Sequence, residues 1–242
     1  TFADALKAVT QQKADAAFLP FENSLAGGVT GMQACLPSIK NLYICQNIWI
    51  PIQHALVSLG DDVSQIEKVY SHPQALAQCS DFIKKAGLQP QEFIDTAAAA
   101  QFVQQQNIKS VAAICSAAAA RVYGLNVLRD GIQNEGKNLT RFFLWAGKTF
   151  FNDEQPQENG AKTAFYLQAR TLQETQKSLQ LLEDAGYIFI KTYEIFCSAP
   201  QHGNCGLYAE YSVPSDTTQA PITDLKNRMS EYCDEIVWFG YF

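Results

Sequence analysis

No run in the chain approaches the ~20 apolar residues of a membrane-spanning helix, and no basic-then-apolar signal segment stands at its start. No membrane partner is expected. The chain has no C-x-x-C pair, and its seven cysteines make an odd number, so neither a disulfide framework nor a zinc site is suggested. Most of them sit among apolar neighbours and read as small core residues, which fits a reducing, cytoplasmic setting. His54, His72 and His202 are too scattered to propose a metal site. Charge is sparse, at 17% of residues, and the net charge is −6. An acidic total argues against nucleic acid as a partner. It does not forbid an anionic substrate, because a local cluster of donors can outweigh the mean field.

What is present is apolar bulk: 47% of 242 residues are hydrophobic, enough for one large domain or two smaller ones with a real core. Short apolar runs such as Ala16 to Phe21, Lys68 to Tyr70 and Ser110 to Ile114 read as buried strands. Helical patterns follow them, among them Ala75 to Lys85, Ala97 to Gln105 and Ser116 to Tyr123. Alternating strands and helices make an α/β pattern, in which ligands bind beyond the carboxyl ends of strands. The polar, Gly/Pro-containing stretch Phe150 to Lys162 is the expected domain boundary, separating 1–150 from 160–242. Beyond it the order becomes βαββαβ, with strands at Thr163 to Ala169, Tyr187 to Cys197, Cys205 to Val213 and Asp234 to Tyr241. Helices lie at Leu172 to Ala185 and Thr218 to Tyr232. That is the ferredoxin-like arrangement.

Four polar groups stand at strand ends: Glu22-Asn23-Ser24, Ser71-His72-Pro73-Gln74 with Gln78 one turn on, Asp95-Thr96, and Asn138 with Thr140-Arg141. Each alone is explained by a cap or a turn. Four repeats of one topological position point instead to a ligand site. The paired glycines Gly27-Gly28 permit positive φ and a close backbone approach.

The stretches FLPFENSLAGGV, VYSHPQALAQC and NLTRF resemble, in order, the three signature segments of the prephenate dehydratase family, and the tail resembles its ACT regulatory domain. The resemblance implies a bilobal, periplasmic-binding-protein-like catalytic domain followed by a ferredoxin-like ACT domain. It implies a lyase that removes water and CO₂ from prephenate to give phenylpyruvate in phenylalanine biosynthesis, without cofactor or metal. It makes Thr140 the donor to the leaving hydroxyl and Asn23, Ser24, Ser71 and Gln78 substrate-binding residues. Arg141 is a candidate counter-ion, or else the structural partner of Glu22. A homodimer or homotetramer, with phenylalanine as effector, is also implied.

The chain departs from the family pattern in places. Its usual N-terminal strand and Gly-Pro-x-Gly-Thr turn precede the point where this sequence starts, as would any chorismate mutase domain. Asp95 holds a place usually taken by Glu, as a substrate-positioning residue or a helix cap. In the ACT region, Ala169-Arg170-Thr171-Leu172 and Glu194-Ile195-Phe196-Cys197 replace the usual effector-binding motifs, leaving Glu194 as the one retained allosteric position. Two other readings fit: arogenate dehydratase, acting on the amino analogue, and a non-catalytic small-molecule-binding module.

Overall fold

A computed structural model describes residues 1–147, 161–195, 206–213 and 222–242. Along the chain run α1 (Phe2–Thr10), β1 (Ala16–Asn23), β2 (Gly27–Gly28), α2 (Thr30–Gln33), β3 (Leu42–Pro51), β4 (Ala55–Ser58), β5 (Lys68–Ser71), α3 (Pro73–Gln78), α4 (Ser80–Lys85), β6 (Gln89–Glu92), α5 (Thr96–Gln106), β7 (Val111–Cys115), α6 (Ala117–Val122) and β8 (Asn126–Arg129). The remainder is β9 (Leu139–Gly147), β10 (Lys162–Ala169), α7 (Leu172–Asp184), β11 (Ile188–Ile195), β12 (Gly206–Ser212), α8 (Ile222–Met229) and β13 (Cys233–Tyr241). These elements form two compact units. One joins Thr1–Trp49 to Thr140–Phe242; the other is Ile50–Leu139.

The Ile50–Leu139 unit is a five-stranded sheet of order β6-β5-β7-β4-β8. β5 runs parallel to β6 and β7, and β4 antiparallel to β7 and β8. β7 is buried along its whole length. Its period of two sends Ala112 and Ile114 into the core beneath α3 and α4, and Val111, Ala113 and Cys115 into the core with α5. A strand covered on both faces carries a continuous apolar run. The helix expected over Ala75 to Lys85 is two helices. Asn134 breaks it: its backbone N–H donates to Gln78 O at 2.7 Å, its Oδ1 accepts from Asp81 N at 3.2 Å, and its Nδ2 donates to Ser80 Oγ at 2.9 Å. A side chain inserted into the ladder interrupts it.

The other unit holds two four-stranded sheets, β2-β1-β9-β3 and β11-β12-β10-β13. The second is the expected βαββαβ arrangement, with β12 antiparallel to β10 and β11, and β13 antiparallel to β10. The outer parts of the expected Tyr187–Cys197, Cys205–Val213 and Thr218–Tyr232 elements lie outside the described residues. Both faces of this sheet carry a core, while its edge strand β11 is largely exposed. On one, Phe165, Leu167 and Tyr211 pack with Leu182, Leu225 and Met229 of α7 and α8. On the other, Ala164, Tyr166, Tyr208 and Phe239 share a core with Phe21, Phe143 and Trp145 of the first sheet. The C-terminal sheet therefore packs directly on the strands that carry Asn23 and Thr140.

Candidate functional site

β1 and β9 are antiparallel, and the register shifts between Pro20 and Glu22. Phe21 is the extra residue of a bulge, so Phe21 and Glu22 are both buried where simple alternation would expose one of them. The shift sets Glu22 opposite Arg141 and Asn23 opposite Thr140. The chain then folds back sharply. Asn23 Oδ1 accepts from the backbone N–H groups of Leu25 and Ala26, at 2.9 Å each. Gly27 takes φ +78°, and β2 pairs with Glu22 and Asn23. Two backbone donors on Oδ1 fix the orientation of the amide. Its NH₂ end donates to Thr140 Oγ1 at 2.9 Å. The Thr140 oxygen is thus used as an acceptor, and its own proton has no acceptor among the described residues. Thr140 retains 9% exposure. A hydroxyl held in this way can donate to a ligand oxygen.

Arg141, one residue on, lies in a different environment. It is fully buried. Its fork is bidentate on Glu210 of β12, at 2.6 and 2.9 Å. It also donates to Glu22 Oε1 at 3.1 Å and, through Nε, to Asn47 Oδ1 at 2.7 Å. The guanidinium stacks 4.6 Å over Phe143. The geometry shows the pairing with Glu22 that was one of the two roles left open for Arg141, and a second carboxylate, Glu210, joins it. These bonds engage Nε, both Nη1 hydrogens and one Nη2 hydrogen of the guanidinium. Glu22 is occupied likewise: Lys191 Nζ donates to its Oε1 and Tyr193 OH to its Oε2.

Burial works against ionisation of Glu22, but the hydrogen bonds from Lys191 and Tyr193 and the nearby Arg141 charge outweigh it, holding its carboxyl below the usual range. A carboxylate whose folded value is depressed stabilises the fold above its unfolded value, and that contribution is lost as pH falls through the folded one. Glu22→Gln should therefore lower stability at neutral pH and narrow its gap to the wild type in acid. A pH series of thermal melts checks this.

In the Ile50–Leu139 unit, Gln78 ends α3. Its Oε1 lies 2.8 Å from His54 Nε2 and accepts from Asn138 Nδ2 at 3.4 Å. An amide oxygen can only accept, so His54 carries its proton on Nε2. With its oxygen doubly engaged, Gln78 keeps its NH₂ donors uncommitted among the described residues. His54 was not legible as a site residue; the one signal is an imidazole at the mouth of the buried strand Ala55–Ser58.

Three further expected site residues have these surroundings. Ser71 is fully buried and spends its proton on Ile114 O at 2.6 Å, tying β5 to β7. Asp95 caps α5 through Ala98 N at 2.6 Å, the capping alternative of its two readings. Ser24 lies exposed in the turn after β1. Glu194 is exposed on β11 opposite Leu207, and Phe196 and Cys197 of its motif lie outside the described residues. Burial pushes the thiols of Cys79 and Cys115 up to about 12 and about 11, so both stay protonated and act as small apolar residues. Among the described residues no group of three His, Cys, Asp or Glu could hold a metal ion, and no helix is long and apolar enough to cross a membrane.

The family model described as prephenate dehydratase matches residues 1–149 of the chain. The chain is 43% identical over 148 residues to arogenate dehydratase 3, chloroplastic, of Arabidopsis thaliana, a match covering 60% of this chain and 35% of that protein. It spans little more than a third of the length of the plant relatives. Among solved structures, a quorum-quenching acylase, GqqA, superposes with a TM-score of 0.83 at 26% identity, covering 100% of this chain and 86% of its own. The prephenate dehydratase of Arthrobacter aurescens in complex with L-Phe superposes with a TM-score of 0.81 at 24% identity, covering 98% and 78%. The fold is that of these enzymes. With the family model spanning more than half of its length, this chain belongs to the prephenate dehydratase family.

Proposed function

We propose that the chain dehydrates and decarboxylates prephenate to phenylpyruvate, with Thr140 donating to the departing hydroxyl. The observation that carries this is the Asn23–Thr140 pair, in which the amide occupies the threonine oxygen and leaves its proton for a ligand. In the reaction the C–C bond to the ring carboxylate breaks, its electrons enter the ring, and the C–O bond breaks at the opposite carbon. CO₂ and hydroxide leave as the ring becomes aromatic, and the hydroxide becomes water by taking one proton through the Thr140 hydroxyl, which solvent then replaces. Aromatisation supplies the driving force, so the protein has to stabilise charge developing on the leaving oxygen, which a positioned hydroxyl does. A neutral donor also suits a substrate whose carboxylate must stay ionised in order to leave as CO₂.

Gln78 is proposed to bind the substrate through its NH₂ group, steered by His54 and Asn138. Gln78→Leu should raise KM by about tenfold or more, as for loss of a hydrogen bond to a charged group, while kcat stays near the wild-type value. Steady-state kinetics on prephenate check it. Regulation by phenylalanine at the C-terminal domain and action as a homodimer or homotetramer are part of the same proposal. Support comes from the ferredoxin-like sheet and from the L-Phe named in the Arthrobacter complex.

The plant relatives favour a second substrate, arogenate, which differs by an amino group in place of a ketone. Incubation with each compound separates the two readings, with phenylpyruvate read by its absorbance in alkali and phenylalanine by chromatography. Faster turnover of prephenate is expected. Turnover of arogenate alone would replace the substrate, and turnover of neither would overturn the reading. A parallel incubation with an N-acyl-homoserine lactone tests the first activity named for a relative from Komagataeibacter europaeus, a bifunctional N-acyl-homoserine lactone acylase/prephenate dehydratase.

A further inference from the structure

Two adjacent rungs of the β1–β9 ladder have contrasting surroundings. The Asn23–Thr140 rung carries the hydroxyl proposed to act on substrate. The neighbouring Glu22–Arg141 rung is an ion pair with Arg141 fully buried and Glu22 3% exposed. Successive residues of a strand point to opposite faces, so these two rungs are mechanically joined through the backbone while addressing different neighbours. Among the described residues, all but one of the further polar partners of the ion-pair rung come from the C-terminal sheet: Glu210 on Arg141, and Lys191 and Tyr193 on Glu22. The exception is Asn47 of β3. Glu210 is itself fully buried and accepts further from Tyr208 OH at 3.1 Å.

A buried charge cannot lose a partner and stay in place, because leaving it unpaired costs far more than moving it. If Glu210 or Tyr193 shifts, the Glu22–Arg141 rung must re-pair, and the rung beside it moves with the strands. The cluster therefore gives the C-terminal sheet a direct hold on the oxygen of Thr140.

We propose that Glu210, Lys191 and Tyr193 are positioning residues for the reaction, holding the Asn23–Thr140 pair in place through the Glu22–Arg141 ion pair. The proposal rests on the reading of Thr140 given above. None of the three touches the reacting atoms. Their loss is expected to lower kcat and leave KM nearly unchanged, because they set the geometry of the donor and not the binding of the substrate.

The test uses the full chain and three variants, Glu210→Gln, Tyr193→Phe and Lys191→Met. Two readouts are taken. One is the split between kcat and KM on prephenate. The other is the NMR position of the Thr140 γ-methyl group, assigned by its disappearance in Thr140→Ser, with the Thr96 methyl of the other unit as control. Expected are a fall in kcat on the order of tenfold, KM within about twofold, a displaced Thr140 methyl resonance and an unmoved Thr96 resonance. Tyr193→Phe removes one hydroxyl and keeps the Arg141–Glu210 pair, so it decides the matter even if Glu210→Gln does not fold. An unmoved Thr140 resonance together with wild-type kcat in Tyr193→Phe and Lys191→Met overturns the proposal, whatever happens to thermal stability. An inactive wild type would remove the assigned reaction instead, while the methyl shift would still report whether these residues position Thr140.

Discussion

Arg141→Met should lower the thermal unfolding midpoint by about 10 °C, the consequence of ~3–5 kcal/mol lost in a protein of this size. The arginine is fully buried and bonded to two carboxylates and an amide. Removing it leaves Glu210 with Tyr208 and with the half-buried Lys162 at 3.5 Å, which is poor compensation for a buried anion. Methionine fills much of the same volume and can lie on the Phe143 ring, so the loss reports charge more than packing. Adding Glu210→Leu to Arg141→Met should recover part of the loss, since deleting a buried pair costs less than orphaning one member. Tryptophan fluorescence during a melt reads it, Trp145 being fully buried near the cluster. A midpoint within a degree or two of the wild type would mean that the cluster contributes nothing to stability.

Thr140→Val should lower kcat on prephenate on the order of 10²-fold or more with little change in KM, as for loss of one oxyanion-directed donor. Valine is nearly isosteric, so the strand and its register should survive. The Asn23 amide loses its bond to Thr140, while its oxygen stays bonded to Leu25 and Ala26. Thr140→Ser keeps the hydroxyl within reach of Asn23 Nδ2 and should retain much of the activity. The serine–valine contrast therefore isolates the proton from the shape of the side chain.

Much of this arrangement was legible in the chain itself. The βαββαβ order of the C-terminal part followed from strand and helix periodicity, and a cap was recognisable at Asp95 or Thr96 before four alanines, of which Asp95 makes the bond. The opposition of Asn23 to Thr140 was not visible locally, although both residues stood out as polar groups at strand ends. What stayed hidden shares one cause: partners distant in sequence with no periodic signal. Glu210 meets Arg141 across 69 positions, from inside an aromatic strand that gives no sign of a buried carboxylate. His54 reaches Gln78, and Asn134 splits a helix whose own residues read as continuous. The Ser71 bond was hidden for the same reason, because the Ile114 carbonyl that takes its proton comes from the neighbouring strand, 43 positions on.

The most direct measurement is the stoichiometry of product formation by the purified chain on prephenate, following phenylpyruvate in alkali and CO₂ together. One molecule of each per prephenate is expected from the wild type and from Thr140→Ser, and less than about a hundredth of that rate from Thr140→Val. No phenylpyruvate from the wild type, or wild-type turnover by Thr140→Val, would contradict the assignment of Thr140 as the donor to the leaving hydroxyl.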